Sequence, residues 1–569
     1  MRLLRTIFLA VLPLALKAQG TYTRSLDRVS SLDPVDSMST YSTRVIQLAY
    51  EPLLQYDYEA RPYRLIPCLA ESLPEVQQDG RVLIVRIHPE ARFHADPCFG
   101  AGRDGQPQGR AVTAADVVYS LKRLADRKNV SSGAWTVEDV ILGMRAFAEL
   151  SEGAAPTDYT REVEGLRALD ERTLRIELAK PSHVFIYYLA MAYTAVVPHE
   201  AVAMYGKDFR SRTVGTGPYR LAQWRRNYQM SFERVPSWHG WAAMREAESG
   251  AGAPAGGQPF DRLVFRTIDD VSTQWLCFLR GELDFLGEIA RDNWDVIIGP
   301  SGRLSPSLEA RGITLHAIPS LDVAYLGINM DDPVLGPNKA LRQALNCAFN
   351  GTVWERFYNN RFVRAAGPVP FGVAGRLDTP FDYAFDLDKA KRLLRDAGYP
   401  DGIDPETGRR LKLTLDFGRT TQETRETAEL LVSFYAQIGI VLEPQYHNWP
   451  TFLKRLSERQ SQLFSVAWVG DYPDAENFMQ LFYGRNVSPG PNRVNYVNPA
   501  FDARYEAACA STDEGARNAL WKEMQAIVRE DCPWVFLHHR TIYSLCNPRV
   551  RNYRPSDFPY GTEKYLRHE

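Results

Sequence analysis

The stretch SVAWVGDYPDAENFMQLFYG begins at Ser465. It places Trp468, Asp471, Asp474 and Glu476 where an apolar run leaves a buried strand, with Pro473 between the two aspartates. Clustered carboxylates can hold a metal ion, do acid/base chemistry or await a cationic ligand. Two carboxyls ~5–9.5 Å apart would suit glycoside hydrolysis. The same residues also make an ordinary solvated loop, and residue types alone leave these readings open.

Other candidate motifs fail on context. GAGRDG (Gly100–Gly105) matches a nucleotide fingerprint in letters, but Gln-Pro-Gln-Gly follows where a helix must open. His199-Glu200 has no second histidine four residues after the first, so a zinc-protease face is not built, and a polar helix start is expected. Neither a GxSxG elbow nor a GxxxxGK[ST] phosphate loop occurs. GTGPY (Gly215–Tyr219) reads as a tight turn before a strand, with glycines supplying positive φ. His538 and His539 are neighbours on an apolar strand and point opposite ways, so they cannot share a metal. His538 is kept as a residue that can face a cleft.

The elements that must position these residues are legible as a pattern. RVLIVRIHPEARF (Arg81–Phe93) and RTLRIELAK alternate as strands. Thr113 with Asp116 three residues on caps a helix over TAADVVYSLKRLAD. FDLDKAKRLLRDAG is a helix stopped by Gly398, LKLTLDFG is a strand, and TRETAELLVSFYAQIGI is a helix closing on Gly439. YSTRVIQLAYEPLLQYDYEA (Tyr41–Ala60) is a helix running into a strand and a turn. Strands and helices alternate throughout, so the fold class is α/β. Two segments lack a core pattern and read as insertions: ADPCFGAGRDGQPQG after Phe93, and the flexible AESGAGAPAGGQP (Ala247–Pro259).

A chain of 569 residues exceeds one core, so two or three domains are expected. A formal net charge of -2 offers no basic field, which argues against a nucleic-acid partner. Met1–Arg5 is basic, Ile7–Leu16 is apolar, and Ala18 is a small residue at a cleavage site. This reads as a cleaved signal peptide over residues 1–18, and hence as export. No other apolar run reaches the ~18 residues of a membrane helix. The seven cysteines form no CxxC, so no zinc knuckle or thioredoxin-like site is signalled; export permits disulfides, and an odd count leaves at least one thiol unpaired within the chain.

Six segments in order carry a family resemblance. They are SSLDPVDSMSTYSTRVIQLAYEPLLQYD, LIPCLAESLPEVQQDGRVLIVRIHPEARFH leading after the insertion to AVTAADVVYSLKRL, VGTGPYRLAQWRRNYQMSFERVPSWHG, AYLGINMDDPVLGPNKALRQALNCAFN, FDLDKAKRLLRDAGYPDG and AWVGDYPDAENFMQLFYG. Together they resemble family 5 extracellular solute-binding proteins, the oligopeptide- and dipeptide-binding components of ABC importers. Two departures stand out: the Cys98-containing insertion, and Asn350 where an acidic residue is usual.

The resemblance implies a two-lobed periplasmic-binding-protein fold of the type with an extra domain (cluster C) and a hinge of two strands. Lobe I would comprise residues 19–54, 197–320 and 541–569, the extra domain 55–196, and lobe II 321–540. It implies that Asp471 accepts a peptide's terminal ammonium and that Trp468 lines the cleft. The backbone at Gly470 and at Val29, Ser30 and Ser31 would bond the ligand. Asp474 and Glu476 are expected to serve the turn and helix start. The implied function is capture of a peptide or other amine-bearing ligand in the periplasm and delivery to ABC permease subunits, by a monomer without metal, cofactor or catalytic residues. The alternatives are the same fold holding a nickel complex, an opine or a glycan fragment, or a secreted hydrolase.

Overall fold

A computed structural model describes residues 20–568, apart from 38, 250–256, 291–292, 300–301 and 512. The expected signal peptide and the middle of the Ala247–Pro259 insertion lie outside the described residues.

The chain enters through β1 (Thr21–Ser25) and reaches α1 (Thr40–Ala49). Ser39 starts α1 by accepting a hydrogen bond from the Ser42 N–H at 3.2 Å, which satisfies one of the first-turn donors. Val45, Ile46, Leu48 and Ala49 bury one side of the helix completely. Thr40, Thr43 and Gln47, at helical spacing, face a cavity instead.

Residues 55–196 supply most of a separate apolar cluster. There β2 (Val82–Arg86), α2 (Ala114–Ala125) and β3 (Thr173–Glu177) follow one another. β2 pairs antiparallel with β3 in a four-stranded sheet, and α2 covers it with Val117, Leu121 and Leu124. The Asp116 carboxylate accepts from the Thr113 N–H at 2.9 Å, the N-terminal box that the sequence spells. Arg123, also on α2, forks onto Asp33 at 3.0 and 2.8 Å, and both side chains are buried. That pair ties this region to the segment before α1. The Cys98 insertion is ordered as a two-stranded hairpin, Asp96–Ala101 with Pro107–Gln108.

The large sheet continues with β4 (Arg262–Arg266), parallel to β1, then β5 (Phe285–Leu286) and β6 (Thr314–Pro319). After Ser320–Leu321 the chain begins β7 (Asp322–Ile328) and a second set of elements. These are α3 (Lys339–Ala348), α4 (Leu387–Asp396), β8 (Lys412–Phe417), α5 (Gln422–Ala436), β9 (Leu463–Val469) and α6 (Glu514–Asp531). Asn350, the departure noted above, caps the helix Gly351–Phe357 by accepting from the Val353 N–H at 3.1 Å. Gly398 and Gly439 have φ of 92° and 86°, the left-handed conformation that stops α4 and α5.

β10 (Trp534–Cys546) joins the two sets. Its first half pairs with β7 and its second half with β6, the change falling between His538 and Thr541. The Ser320 N–H donates to the Arg540 carbonyl at 2.8 Å, so the β6–β7 link and β10 cross side by side. This is a two-lobed α/β architecture with two strands between the lobes.

Gly215 and Gly217 serve a different purpose from the one expected. Neither has positive φ. A Cβ at either would strike the carbonyls that end α1, those of Ala49 and Leu48. The glycines let a turn press against a helix terminus, a close approach of backbones rather than a special dihedral.

Candidate functional site

Two cavities meet between the lobes. The inner one, about 240 Å³, is walled by the polar face of α1, by Tyr193 and by the C-terminal residues Tyr560, Thr562 and Lys564. The outer one, about 580 Å³, is walled by Trp135 on one side and by Trp449, Leu453 and Trp468 on the other. Tyr193 and Asp471 line both.

Asp471 follows the end of β9, and one side chain sets the geometry there. The buried Asn477 accepts from Trp468 Nε1 at 2.9 Å and from the Asp471 N–H at 3.0 Å. Its amide nitrogen stands 3.5 Å from Asp471 Oδ2. Among the described residues no cation forms an ion pair with Asp471. Its side chain is exposed, but to a chamber walled by protein rather than to bulk water. This loss of solvation lifts the carboxyl to about 6, against the Asn477 bond that favours ionisation. A carboxylate held in this way is an acceptor waiting for a cation.

β9 also offers backbone. It pairs with β7 along its whole length, but with β8 only at Leu463–Ser465. Val466–Val469 therefore have an edge without a strand partner among the described residues, which is where an extended ligand can add a strand. Gly470 lines the inner cavity; its N–H donates to the Leu321 carbonyl at 2.7 Å, leaving the carbonyl as the group it can offer.

The other two carboxylates of the cluster are spent internally. Asp474 forks with Arg517 and accepts from the Glu476 N–H at 2.9 Å. Glu476 is buried and accepts hydrogen bonds from the hydroxyls of Tyr472 and Tyr505. Neither lines the two cavities.

Tyr472 crosses the gap. It is buried in the apolar cluster of residues 55–196 and stacks on Tyr187 with centroids 5.6 Å apart and planes at 5°. Because this contact spans the cleft, Tyr472→Ala is expected to speed ligand release about tenfold or more, the loss of an aromatic pair and its buried area. Stopped-flow displacement measures it, and an unchanged release rate would contradict a latching role.

Four residues expected near the ligand lie elsewhere. His538 is in the core of the second set of elements: its Nδ1 accepts from Trp354 Nε1 at 3.0 Å and its ring stacks on Phe362 at 3.7 Å. Burial drives its pKa well below the ordinary value, so it is a neutral packing residue. His539 is equally buried, with Nδ1 2.6 Å from the Asp322 carbonyl. Val29 borders a small crevice by Trp224, Ser30 is exposed, and the Ser31 hydroxyl is engaged with Asp36 and the Asp33 N–H. The part of this segment that reaches the cavity is Ser37, Ser39 and Thr40. The uncharged polar stripe Thr40, Thr43, Gln47, opposite the apolar Val45, Ile46, Leu48 and Ala49, was the available signal.

Deeper in the inner cavity, Glu51 accepts from Trp238 Nε1 at 3.0 Å and meets His239 Nε2 at 3.1 Å. Burial acts to raise its carboxyl, but the charge and hydrogen bond of His239, with Lys564 beyond, outweigh it and hold the carboxyl below its usual range. Lys564 donates to Gln55 Oε1 at 2.6 Å. One group could hold a metal among the described residues: Asp116, His199 and Glu200. Arg110 already forks onto both carboxylates at 2.6–2.8 Å, occupying the oxygens a metal would need and offsetting one of their two charges. His199 begins a helix there, as a polar start. All seven cysteines are free thiols.

Residues 64–489 match the family described as bacterial extracellular solute-binding proteins, family 5 middle. Heme-binding protein A of Haemophilus influenzae is 27% identical over 509 residues, covering 87% of this chain and 82% of its own. Di/tripeptide-binding protein 2 of Pseudomonas aeruginosa is 26% identical over 503 residues, covering 86% and 84%. Among solved structures, the periplasmic binding protein DppA of Helicobacter pylori, in complex with the peptide STSA, superposes with a TM-score of 0.73 at 21% identity, covering 96% of this chain and 98% of its own.

Proposed function

Because the chain belongs to the family 5 bacterial extracellular solute-binding proteins, we propose that it captures peptides between its lobes in the periplasm and hands them to an ABC permease. The observation that carries this reading is Asp471, a carboxylate without a cation at the junction of two cavities and at the end of an open strand edge. A peptide's ammonium supplies three donors to it, and the peptide backbone can bond along Val466–Val469. Affinity then comes from main chain and charge, with the chambers left for side chains.

The lobes we assign are 19–54, 197–320 and 541–569 for the first, 55–196 for the extra domain on it, and 321–540 for the second. The division follows the apolar clusters and the crossing at Ser320–Leu321 and Arg540. Closure about that crossing buries the ligand. Residues 1–18 are the cleaved export signal in this account. The heme named for one relative finds no histidine on either cavity wall among the described residues, and the Cys68 thiol is directed at Glu51.

Native mass spectrometry of protein purified from its host tests the assignment. Bound masses matching peptides are expected, and added peptides are expected to return intact. A bound species without an amine, or hydrolysis products, would overturn it.

The Asp471 carboxyl also sets a pH dependence. It must be ionised to pair, while the ligand's amine stays charged up to ~7.7–8.0. Affinity is expected to hold at neutral pH and to fall as pH drops below about 6, approaching tenfold per unit. Calorimetry between pH 5 and 7.5 measures this; constant affinity across the range would show that the carboxylate takes no part.

A further inference from the structure

We propose that Arg493 forms an anion subsite in the outer cavity, which selects peptides whose first residue has an acidic side chain. This rests on the ammonium reading of Asp471.

Arg493 is half-buried in the wall of the 580 Å³ chamber that Asp471 also lines. Its Nη1 donates to Ser457 Oγ at 3.0 Å, and no carboxylate pairs with it among the described residues. Several other half-buried and buried guanidiniums have their donors taken up. Arg123, Arg455, Arg517 and Arg549 each fork or lean onto an aspartate, and Arg342 is bound by three carbonyls. A guanidinium has five N–H donors in a planar fork shaped for a carboxylate. Here most of that fork is left for whatever enters the chamber. Burial draws its pKa down from the ordinary value, the mark of a cation without a counter-charge.

The backbone that presents Arg493 is firmly held. Asn492, fully buried, donates to the carbonyls of Tyr483 and Tyr496 at 3.0 and 2.8 Å. The Met330 N–H donates to the Val494 carbonyl at 2.8 Å, and the Arg493 N–H to Pro491 at 2.9 Å. The subsite is therefore preorganised rather than a surface side chain that folds in. Trp449, Leu453 and Trp468 give the same chamber apolar walls, so a ligand that displaces its water meets strengthened attraction between opposite charges inside it.

The position of the ammonium fixes which part of the ligand reaches Arg493. The carbon that bears the ammonium also bears the first side chain. With the ammonium at Asp471 and the backbone along the β9 edge, that side chain has the outer chamber to fill. The charges then match in a set: Asp471 with the ammonium, Arg493 with a side-chain carboxylate.

Calorimetry with Glu-Ala, Gln-Ala and Gln-Ala amide, on the wild type and on Arg493→Gln, tests this. The wild type is expected to bind Glu-Ala ~10-fold or more tighter than Gln-Ala. Arg493→Gln is expected to bring the two within about twofold while leaving Gln-Ala near its wild-type affinity. Equal wild-type affinities for Glu-Ala and Gln-Ala would overturn the subsite. So would a loss of Gln-Ala binding in Arg493→Gln that the amide does not share, since Arg493 would then serve the peptide's terminal carboxylate. If Arg493→Gln does not fold, the wild-type comparison decides, with Arg493→Lys expected to keep part of the preference. Binding of Ala-Ala without acid preference rejects the subsite alone; no binding of any free peptide rejects it together with the peptide reading.

Discussion

Asp471→Asn is expected to weaken binding of an unmodified peptide by two to three orders of magnitude and to leave the fold intact. Among the described residues, the Asp471 carboxylate is the one on the cavity walls without a cation beside it, Glu51 being paired with His239, and closure removes it and the ligand's ammonium from water. Losing one partner of such a pair costs ~3–5 kcal/mol, and each ~1.4 kcal/mol is a factor of ten. Asn keeps the shape and the contact with Asn477. The unliganded protein should respond in the opposite direction. The folded carboxyl is raised to about 6, so its stabilising contribution is complete below its unfolded value and lost as pH rises through 6. At neutral pH the ionised group therefore costs stability, and Asn removes that cost. The side chain faces a solvent-filled chamber, so the gain is a small fraction of what the shift would suggest. Calorimetry and thermal unfolding at pH 7 and pH 4 measure both effects. A variant that binds normally, or one that loses both binding and stability, would contradict this assignment.

The second large effect is on stability. Asp33→Ala strands the buried guanidinium of Arg123, which has two bonds to that carboxylate. Breaking a buried pair from one side costs ~3–5 kcal/mol. Asp33 also accepts from the Val35 N–H at 3.2 Å, so a turn before α1 is loosened at the same time. The midpoint of thermal unfolding should fall by several degrees. Adding Arg123→Met should recover most of the loss, since an apolar pair of similar volume carries no unpaid charge. If the double variant is no better than the single one, the packing around Asp33, not the ion pair, holds α2 to the segment before α1.

Much of the fold was legible because its signals are local. Thr113 and Asp116 cap α2 within four residues, and Gly398 and Gly439 stop helices by their own φ. GTGPY was read as a turn, but the reason for its glycines lies in α1, more than 160 residues earlier in the chain, and no local pattern reports a close approach between distant segments. The same limit applies to the site. Trp468 and Asp471 stand out by type and spacing, whereas Asn477, which orders both, looks like any polar residue at a helix start. The N-terminal backbone was placed too early, at Val29–Ser31, because which residues of an extended segment reach a cleft depends on how α1 docks. His538 looked available to a ligand because alternation on a strand tells which side a residue faces, not what covers that side; here Trp354 and Phe362 cover it. The open edge of β9 appears only once β8 is seen to pair with just its first three residues.

The account rests on a ligand ammonium meeting Asp471. The most direct measurement is calorimetry of one dipeptide free and N-acetylated, at pH 7, against the wild type. The free peptide is expected to bind at least ~100-fold more tightly, because acetylation removes the charge and two of the three donors. Equal affinities would show that the site recognises something other than an amine, and the central assignment would fall.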